Sequence, residues 1–351
     1  MTNVNVSLYL NIKDSLRNLT DVEFETLVPQ LAQSLETSGF IYDSTTENDI
    51  LKDWASLLKK KTPVAEEGSN IVVVPATCTL GMKPMRRYMP HFYAVKNYKG
   101  VSVHSLWTKA NLEKALRFNR KYHSTPYVSE IVRSLSFTNG LGKITMYRPL
   151  MAKTIVNYFE AKTVLDVCIG WGGRMLGSLA ANPETSYTGI EPCSATYNGL
   201  QNILSTLSLQ DRTTLIRGSA ETVLKNMPIE TKFDLALTSP PYYNLEIYDN
   251  IENVEQSINY GTYDKWMTSF LEPVICEVLK RVKYSCWSIK NFKTDKKYNL
   301  LTDVIEIHNK YGWKMMDLYF SVTNSKRPGG SNEKQGAEEY TYVFIKQLDS
   351  S

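Results

Sequence analysis

Residues 233–243, FDLALTSPPYY, place a short apolar run directly before a polar residue, two prolines and two tyrosines. The apolar run is typical of a buried parallel strand, so the segment after it is a loop at the carboxyl end of that strand. The prolines fix φ and remove two backbone donors, which leaves carbonyl oxygens in the loop available to accept hydrogen bonds. The Ser239 hydroxyl can accept one as well, and Tyr242 offers a flat ring for stacking. Together these groups suit one task, which is to hold a planar heterocycle by its amino group.

From about residue 143 onward, apolar runs of strand length alternate with amphipathic segments of helix length. This alternation predicts an α/β fold with a mostly parallel sheet that is covered on both faces. No helix is predicted between the last two strands. The predicted strands are 163–168, 186–191, 213–217, 233–238, 284–289, 315–322 and 340–346. The predicted helices are 174–182, 194–208, 219–226, 263–281 and 297–311.

A second motif, DVCIGWGG at residues 166–173, overlaps the end of the first of these strands. Taken with TSPPYY at residues 238–243, it resembles the S-adenosylmethionine-dependent amino-methyltransferases of DNA, which methylate adenine N6 or cytosine N4. The resemblance covers about residues 143–346. It implies a seven-stranded, Rossmann-like class I methyltransferase sheet in which the seventh strand inserts antiparallel. We therefore predict a catalytic domain at 141–351 and, at 1–140, a mainly helical α+β domain that resembles no family.

The glycine pattern of the second motif, Gly-x-Gly-Gly, would fit a phosphate site as well. Two features favour S-adenosylmethionine. No Walker lysine follows, and Glu191 ends the next strand, where a carboxylate can take both ribose hydroxyls of an adenosine. The resemblance implies that Ser219 and Ala220 meet the adenine edge, although the family often has Asp at the first of these positions, and that residues 147–149 hold the methionine moiety. The predicted cofactor residues are Tyr147, Arg148, Pro149, Asp166, Cys168, Gly170, Gly172, Glu191, Pro192, Ser219 and Ala220.

The exocyclic nitrogen of a nucleobase is a poor nucleophile because its lone pair is conjugated with the ring. The Ser239 oxygen and the Pro240 carbonyl can accept hydrogen bonds from both N–H groups, which moves the nitrogen toward sp³. Its lone pair then points at the sulfonium methyl. Positioning and electrostatics therefore supply most of the catalysis. The predicted catalytic residues are Ser239, Pro240, Pro241 and Tyr242. The target base must be flipped out of duplex DNA, with Tyr242 stacking on it and Tyr243 lining its pocket. A cysteine nucleophile serves only carbon-5 methylation, and the loop at 238–243 has no Pro-Cys pair, which excludes that type of enzyme.

The composition is that of an ordinary folded protein, with 42% hydrophobic and 22% charged residues in 351 positions. The sequence has no run of 18 apolar residues and no basic segment before an apolar core at the N-terminus, so we expect neither a membrane span nor a secretory signal. The five cysteines are scattered, without a CxxC pair or a histidine at ligand spacing. This pattern predicts reduced thiols in a soluble intracellular protein and argues against zinc or another metal.

Basic side chains are concentrated in one block of the chain. Residues 51–150 carry 17 basic and 5 acidic side chains, whereas residues 1–50 carry 2 and 8, and residues 151–351 carry 21 and 23. Because a basic surface neutralises phosphates, we expect this block, which includes a predicted basic helix at 107–122, to contact DNA. The candidate phosphate contacts are Lys83, Arg86, Arg87, Lys96, Lys99, Arg117, Arg120 and Lys121.

Residues 7–60 repeat apolar side chains every three to five positions, which predicts amphipathic helices. Residues 71–74, IVVV, predict a short strand. Little chain follows the seventh strand, so we expect either that the N-terminal domain reads DNA or that the sequence preference is slight. The polar, glycine-rich segment 324–339 is expected to be a mobile loop that closes over DNA with Lys326 and Arg327.

Three alternatives stay open at this point. Serine in the first loop position is commoner among the cytosine-N4 enzymes of the family, so cytosine is slightly favoured over adenine. RNA base methylases and protein-glutamine methylases share a related Pro-Pro-Tyr loop, but the latter mostly have Asn where Ser239 stands. A catalytically inactive paralogue that binds DNA is the third, and the intact Asp166, Gly170, Glu191 and Ser239 count against it. A homodimer is compatible with the sequence.

Overall fold

The computed structural model describes residues 8–42, 44–122, 126–141, 144–248, 257–322 and 339–347. The chain forms two compact units, each assembled from separate stretches. The first unit comprises residues 1–44, 90–145 and 246–250, and the second comprises residues 45–89, 146–245 and 251–351. The predicted mobile loop at 324–339, with Lys326 and Arg327, lies outside the described residues except for Glu339.

The strands of the described residues fall into one large sheet and two short hairpins or ladders. They are β1 (Ile71–Val74), β2 (Lys96–Asn97), β3 (Thr163–Asp166), β4 (Ser186–Glu191), β5 (Thr213–Arg217), β6 (Phe233–Thr238), β7 (Glu246–Ile247), β8 (Val282–Ile289), β9 (Phe292–Lys293), β10 (Lys297–Tyr298), β11 (Trp313–Val322) and β12 (Tyr340–Lys346).

The α-helices lie between these strands and in the N-terminal part of the chain. They are α1 (Leu8–Ile12), α2 (Asp21–Ser38), α3 (Glu47–Lys59), α4 (Met82–Tyr88), α5 (Lys109–Lys121), α6 (Val128–Thr138), α7 (Pro149–Tyr158), α8 (Gly173–Ala181), α9 (Ser194–Leu207), α10 (Ala220–Asn226), α11 (Tyr263–Trp266), α12 (Glu272–Leu279) and α13 (Leu300–Lys310). Among the described residues, no helix is long and apolar enough to cross a bilayer.

The large sheet has the strand order β1-β11-β12-β8-β6-β3-β4-β5. Strand β12 runs antiparallel between β11 and β8, and every other neighbouring pair is parallel. The seven strands predicted from the sequence are all present, and the last one inserts antiparallel. The structure therefore confirms the α/β fold class and the class I methyltransferase sheet that the resemblance implies.

An eighth strand, β1, extends this sheet at the edge by pairing in parallel with β11. The sequence predicts the strand but not its partner. Val72 and Val74 are fully buried, whereas Val73, whose side chain points to the other face, is 40% exposed. Because β1 belongs to the large sheet, residues 45–89 lie in the second unit, and the predicted domain boundary at residue 140 differs from the division into compact units.

The predicted helix 263–281 is interrupted. A π-helical turn, Met267–Leu271, separates α11 from α12, and Pro273 lies in the first turn of α12. Proline has no N–H to donate, so the regular backbone ladder cannot continue through this position.

The predicted helix 297–311 begins later than expected, at Leu300. Its first residues instead form β10, which pairs antiparallel with β9. Asn291 accepts a hydrogen bond from the Leu301 N–H at 3.0 Å and so ties this hairpin to the start of α13.

The first unit is mainly helical, as predicted. Thr20 caps the N-terminus of α2, where it exchanges hydrogen bonds with Glu23 in a capping box, at 2.7 and 3.3 Å. The apolar faces of α2, α5 and α6 form one buried core. Residues of these helices in the core include Phe24, Val28, Leu31, Leu35, Leu112, Leu116, Ile131 and Leu135.

Candidate active site

The two sequence motifs meet at one edge of the large sheet. Asp166, Glu191 and Thr238 are the last residues of β3, β4 and β6. Strand β3 lies between the other two and runs parallel to both, so the three carboxyl ends are adjacent. In open α/β sheets, ligands bind at this edge. The fold therefore brings the glycine motif and the proline loop together, although they are about 70 residues apart in the chain.

The glycines after β3 have different roles. Gly170 has a φ of 58°, and no atom lies within 4 Å of the position that a Cβ would take, so the backbone there is open to a ligand. Gly172, with a φ of 87°, precedes the first turn of α8. A Cβ on Gly173 would lie 2.0 Å from the carbonyl oxygen of Tyr147. Gly170 thus leaves room for a ligand, whereas Gly173 lets α8 pack against the segment before α7.

Asp166 is fully buried, and both of its carboxylate oxygens are engaged by protein groups. Oδ2 accepts hydrogen bonds from Arg174 Nε and from the Tyr187 hydroxyl, each at 2.7 Å, and Oδ1 accepts one from the Cys168 N–H at 3.1 Å. Arg174 also donates to the Cys168 carbonyl. These bonds fix the path of residues 166–173, the glycine loop. Direct contact between Asp166 and a cofactor stays a prediction.

Cys168 is half-buried within the same loop. Burial raises the pKa of its thiol well above the usual value, and the nearby Asp166 carboxylate adds to this effect. A thiol in this environment stays protonated and unreactive. The backbone of Cys168, rather than its sulfur, is therefore the part that shapes the site.

Glu191 is held between two backbone amides. Oε2 accepts from the Gly170 N–H at 3.0 Å, and Oε1 accepts from the Cys193 N–H at 2.9 Å. Each carboxylate oxygen can accept a second hydrogen bond, which is what the two hydroxyls of a ribose require. Burial raises the pKa of Glu191 to about 7, even though the two amides favour the ionised form. The residue thus fits an adenosine ligand and titrates near neutral pH.

We expect the affinity for an adenosine ligand to fall by about tenfold between pH 8 and pH 6, because protonation of a group with a pKa near 7 removes an acceptor from the ribose hydroxyls. The pKa is raised in the free protein, so the ionised, binding-competent form is lost as the pH falls through about 7. Calorimetric titration with 5′-methylthioadenosine measures the affinity at each pH. This ligand lacks the amino group of methionine, so the protonation of that group does not affect the result.

Two controls isolate Glu191. The same nucleoside without its 2′ and 3′ hydroxyls should bind weakly and with little dependence on pH. Glu191→Gln, which does not titrate, should also give a flat profile. A wild-type affinity that stays constant from pH 8 to pH 6 would show that Glu191 does not receive the ribose.

Pro192, Ser219 and Ala220, the residues predicted near the adenine, follow the carboxyl ends of β4 and β5. Pro192 is half-buried, and Ala220 is buried as the first residue of α10. Ser219 precedes α10, and its hydroxyl donates to the Thr222 hydroxyl at 2.9 Å. The structure brings all three to the ligand edge of the sheet, and their contacts with adenine stay a prediction.

Sequence reasoning missed Glu221, in the first turn of α10. Its Oε1 accepts from the Tyr260 hydroxyl at 2.8 Å, whereas its Oε2 is buried without a hydrogen-bond partner among the described residues. A buried acceptor of this kind suits an amino group such as that of adenine. The sequence offered one signal for Glu221. Ser219 lacks the carboxylate that the resembled family often has at this position, and Glu221 is the nearest acid that follows it.

Residues 147–149 precede and begin α7. The Tyr147 hydroxyl lies 3.4 Å from Ser288 Oγ near the carboxyl end of β8, which places it beside the predicted site. Arg148 donates to the Cys78 carbonyl at 2.8 Å, and burial lowers the pKa of its guanidinium. Pro149 occupies the first turn of α7. One nitrogen of Arg148, Nη1, is therefore engaged, and a contact of its guanidinium with the methionine moiety stays a prediction.

The acceptors in the loop after β6 divide into engaged and free ones. The carbonyls of Pro241 and Tyr242 accept hydrogen bonds from amides within the loop, at 3.0 and 2.7 Å. Among the hydrogen bonds between described residues, none engages the Ser239 hydroxyl or the Pro240 carbonyl. These two neighbouring acceptors are the ones that the sequence analysis assigned to the amino group.

The two tyrosines of the loop differ. Tyr242 is half-buried, and its ring stacks on Phe292 with a centroid distance of 5.6 Å and an interplanar angle of 24°. Tyr243 is 7% exposed, has a φ of 38°, and donates its hydroxyl to the Gly261 carbonyl at 2.8 Å. Its ring belongs to the apolar core. The residue anchors the loop to the core, and its place in the wall of a base pocket stays a prediction.

Two of the predicted phosphate contacts are paired within the first unit. Arg117 Nε lies 2.9 Å from Glu25 Oε2, and Arg120 Nη2 lies 3.0 Å from Asp21 Oδ1. Arg120 also donates to the Leu16 carbonyl at 3.0 Å. These bonds tie α5 to the start of α2. A contact of Arg117 or Arg120 with phosphate competes with these acids and stays a prediction.

The basic block of the sequence does not form a basic unit in the fold. The stretches of the first unit contain 11 basic and 10 acidic side chains, so the excess of positive charge disappears there. The second unit keeps Lys83 and Arg87 exposed and Arg86 half-buried, with the Lys83 ammonium 3.7 Å from Asp49. In the first unit, Lys121 is exposed and lies over a tyrosine ring.

No protein-family model matches this chain, and no curated protein sequence does either. Solved structures resemble part of it. An rRNA methylase from Streptococcus thermophilus is 11% identical, with a TM-score of 0.36 over 59% of this chain and 100% of the other. The O-methyltransferase TomG from Streptomyces achromogenes, solved in complex with SAM, is 10% identical, with a TM-score of 0.39 over 68% and 90%. Precorrin-6y C5,15-methyltransferase from Geobacter metallireducens is 13% identical, with a TM-score of 0.38 over 56% and 87%. Because these TM-scores lie below 0.5, the fold assignment depends on the strand order and directions described above.

Proposed function

We propose that this protein transfers a methyl group from S-adenosylmethionine to the exocyclic amino group of a nucleobase in DNA. The observation that carries the proposal is a pair of acceptors that no described residue engages, the Ser239 hydroxyl and the Pro240 carbonyl, at the carboxyl end of β6. They lie at the same sheet edge as Glu191 and the open backbone of Gly170.

The residues at this edge fit S-adenosylmethionine. Glu191 has two carboxylate acceptors left for a ribose after its bonds to backbone amides, and Gly170 has no atom where a side chain would project. Glu221 Oε2 offers a buried acceptor near the start of α10. Arg174, bound to Asp166, keeps the glycine loop in place. When bound, S-adenosylmethionine supplies an electrophilic methyl group.

Ser239 and Pro240 act on the nucleophile. By accepting both N–H bonds of the amino group, they favour a pyramidal nitrogen whose lone pair points away from the ring. Bound S-adenosylmethionine would supply its methyl group to this lone pair, the carbon–sulfur bond being the one that breaks, and the nitrogen would give one proton to water. Pro240 and Pro241 hold the loop rigid, because both have fixed φ. Tyr242, oriented by its stack on Phe292, is the ring on which the flipped base rests.

Cytosine N4 and adenine N6 are both compatible with this loop, and Ser239 slightly favours cytosine by resemblance. RNA with an unpaired base presents the same amino groups and avoids the cost of opening a duplex. A protein glutamine is less compatible, since enzymes of that kind mostly have Asn in place of Ser239.

Transfer of a tritiated methyl group to duplex DNA, single-stranded DNA, RNA and a glutamine-rich peptide, followed by nucleoside mass spectrometry, tests the proposal. We expect N4-methylcytosine or N6-methyladenine from DNA. Labelling of RNA alone would overturn the DNA assignment. A protein that binds S-adenosylmethionine and DNA but labels none of the four substrates would be an inactive paralogue.

A further inference from the structure

We propose that the hairpin formed by β9 and β10, residues 292–298, binds the phosphate backbone of the nucleic acid whose base enters the loop after β6. The inference rests on the proposed function for the identity of the anion. The hairpin has two different faces. Its inner face contacts the loop after β6, and its outer face is positively charged.

The inner face consists of one opposed pair in the ladder, Phe292 and Tyr298. Both are buried, and their rings stack with a centroid distance of 4.9 Å and an angle of 19°. Phe292 also stacks on Tyr242. The rings of Tyr298, Phe292 and Tyr242 therefore form a column that ends in the loop after β6. The position of the hairpin and the orientation of Tyr242 are linked through this column.

Hydrogen bonds make a second link between the hairpin and the loop. Asp295 accepts from Asn244 Nδ2 at 3.0 Å and from the Tyr298 hydroxyl at 2.9 Å, and the Thr294 hydroxyl lies 2.8 Å from Asn244 Oδ1. The hydrogen bonds from Thr294, Asn244 and Tyr298 hold the pKa of Asp295 well below its usual range. The one acidic side chain of the hairpin is therefore committed to holding the loop.

The outer face consists of the neighbouring opposed pair, Lys293 and Lys297. Both are exposed, and consecutive residues of a strand point to opposite faces, so these lysines face away from the ring column. Directly opposed side chains have Cβ atoms about 4.5–5.5 Å apart, and like charges in this arrangement are destabilising. Neither lysine has an ion pair within the described residues. Lys290, by contrast, is paired with Glu339 at 3.6 Å.

An anion placed over this face relieves the repulsion between the two ammonium groups. Lys296, in the turn, is exposed but lies over the Tyr298 ring at 5.3 Å from its centroid, so its charge belongs to the side of the ring column. A nucleic acid strand supplies a negative charge with every nucleotide. Since the inner face holds the loop that receives a nucleobase, the phosphates beside that base are the anions that this face fits.

Salt-dependent binding of labelled oligonucleotides tests the inference, with the full chain and the double variant Lys293→Gln/Lys297→Gln. The matched control, Lys314→Gln/Lys346→Gln, removes the same charge from two exposed lysines at the opposite end of the sheet. For two lost phosphate contacts, we expect the slope of log K against log salt to become shallower by about 1.8 for duplex DNA and about 1.4 for a single strand. The control should keep the wild-type slope.

Equal slopes for the hairpin variant and the control would overturn the inference, as would a wild-type protein that binds no nucleic acid. Binding of polyglutamate that depends on Lys293 and Lys297, without binding of oligonucleotides, would assign the face to an acidic protein instead. The methyl-transfer assay on the same preparations separates the two proposals. Transfer with an unchanged slope defeats the hairpin inference alone, whereas a reduced slope without transfer by the wild type defeats the proposed reaction alone.

Discussion

Replacing Arg174 by methionine is expected to lower the free energy of unfolding by about 3–5 kcal/mol, the usual cost of removing one partner from a buried ion pair. Asp166 is fully buried and Arg174 is 5% exposed, with 2.7 Å between Nε and Oδ2. Without the guanidinium, a carboxylate stays in the interior without its cation, and the Cys168 carbonyl loses a donor. Urea unfolding at neutral pH, followed by circular dichroism, measures the loss.

Two comparisons show whether burial is the cause. Arg174→Met combined with Asp166→Asn should recover part of the lost stability, because no unpaired charge is left inside. Lys162→Met removes an ion pair with Glu184 in which the side chains are 71% and 69% exposed, and it should cost less than about 1 kcal/mol. Similar losses for Arg174→Met and Lys162→Met would mean that the ion pair does not hold the glycine loop.

The parts of the fold that sequence reasoning predicted are those set by local patterns. Buried parallel strands such as β3 and β6 are continuous apolar runs, and the helices between them repeat with helical spacing. The pairing of β1 with β11 was missed, because the choice of partner depends on which sheet edge is open after the other strands have assembled. The start of α13 was misplaced for a similar reason. The sequence around Lys297 and Tyr298 is compatible with a helix. The stacking of Tyr298 on Phe292 stabilises the hairpin instead.

In the candidate site, too, the residues placed by local sequence were predicted, and the contacts that follow from packing were missed. Glu191 and Ser239 were predicted because each ends a strand or follows one, which places it at the ligand edge of the sheet. Arg174 and Tyr187 were missed, because their contacts with Asp166 span 8 and 21 positions and follow from packing. The ion pairs of Arg117 and Arg120 were missed, because a count of charges along the chain does not show which acids lie beside them, here 92 and 99 positions away.

If the proposed reaction takes place, Ser239→Ala should lower kcat by about 10²–10³, the order expected for one preorganised hydrogen bond at the reacting group. The substitution removes an acceptor that no described residue uses, so neither the loop nor Glu191 should change. The affinity for S-adenosylmethionine should therefore stay within about twofold of wild type, since the lost group acts on the nucleophile alone. Tyr242→Ala should abolish transfer as well while leaving cofactor binding intact. Single-turnover transfer and calorimetric binding measure the two quantities separately.

Ser239→Asn distinguishes the role of the hydroxyl oxygen from a role in packing. An Asn side chain is larger than serine, yet its Oδ1 supplies the acceptor that alanine lacks. Partial recovery of kcat in Ser239→Asn, relative to Ser239→Ala, is the result that hydrogen bonding to the substrate amine requires. Ser186→Ala, at the exposed amino end of β4, is the matched control and should leave kcat unchanged. If Ser239→Ala instead abolishes cofactor binding, the serine belongs to the cofactor site, and the two acceptors after β6 do not hold a nucleobase.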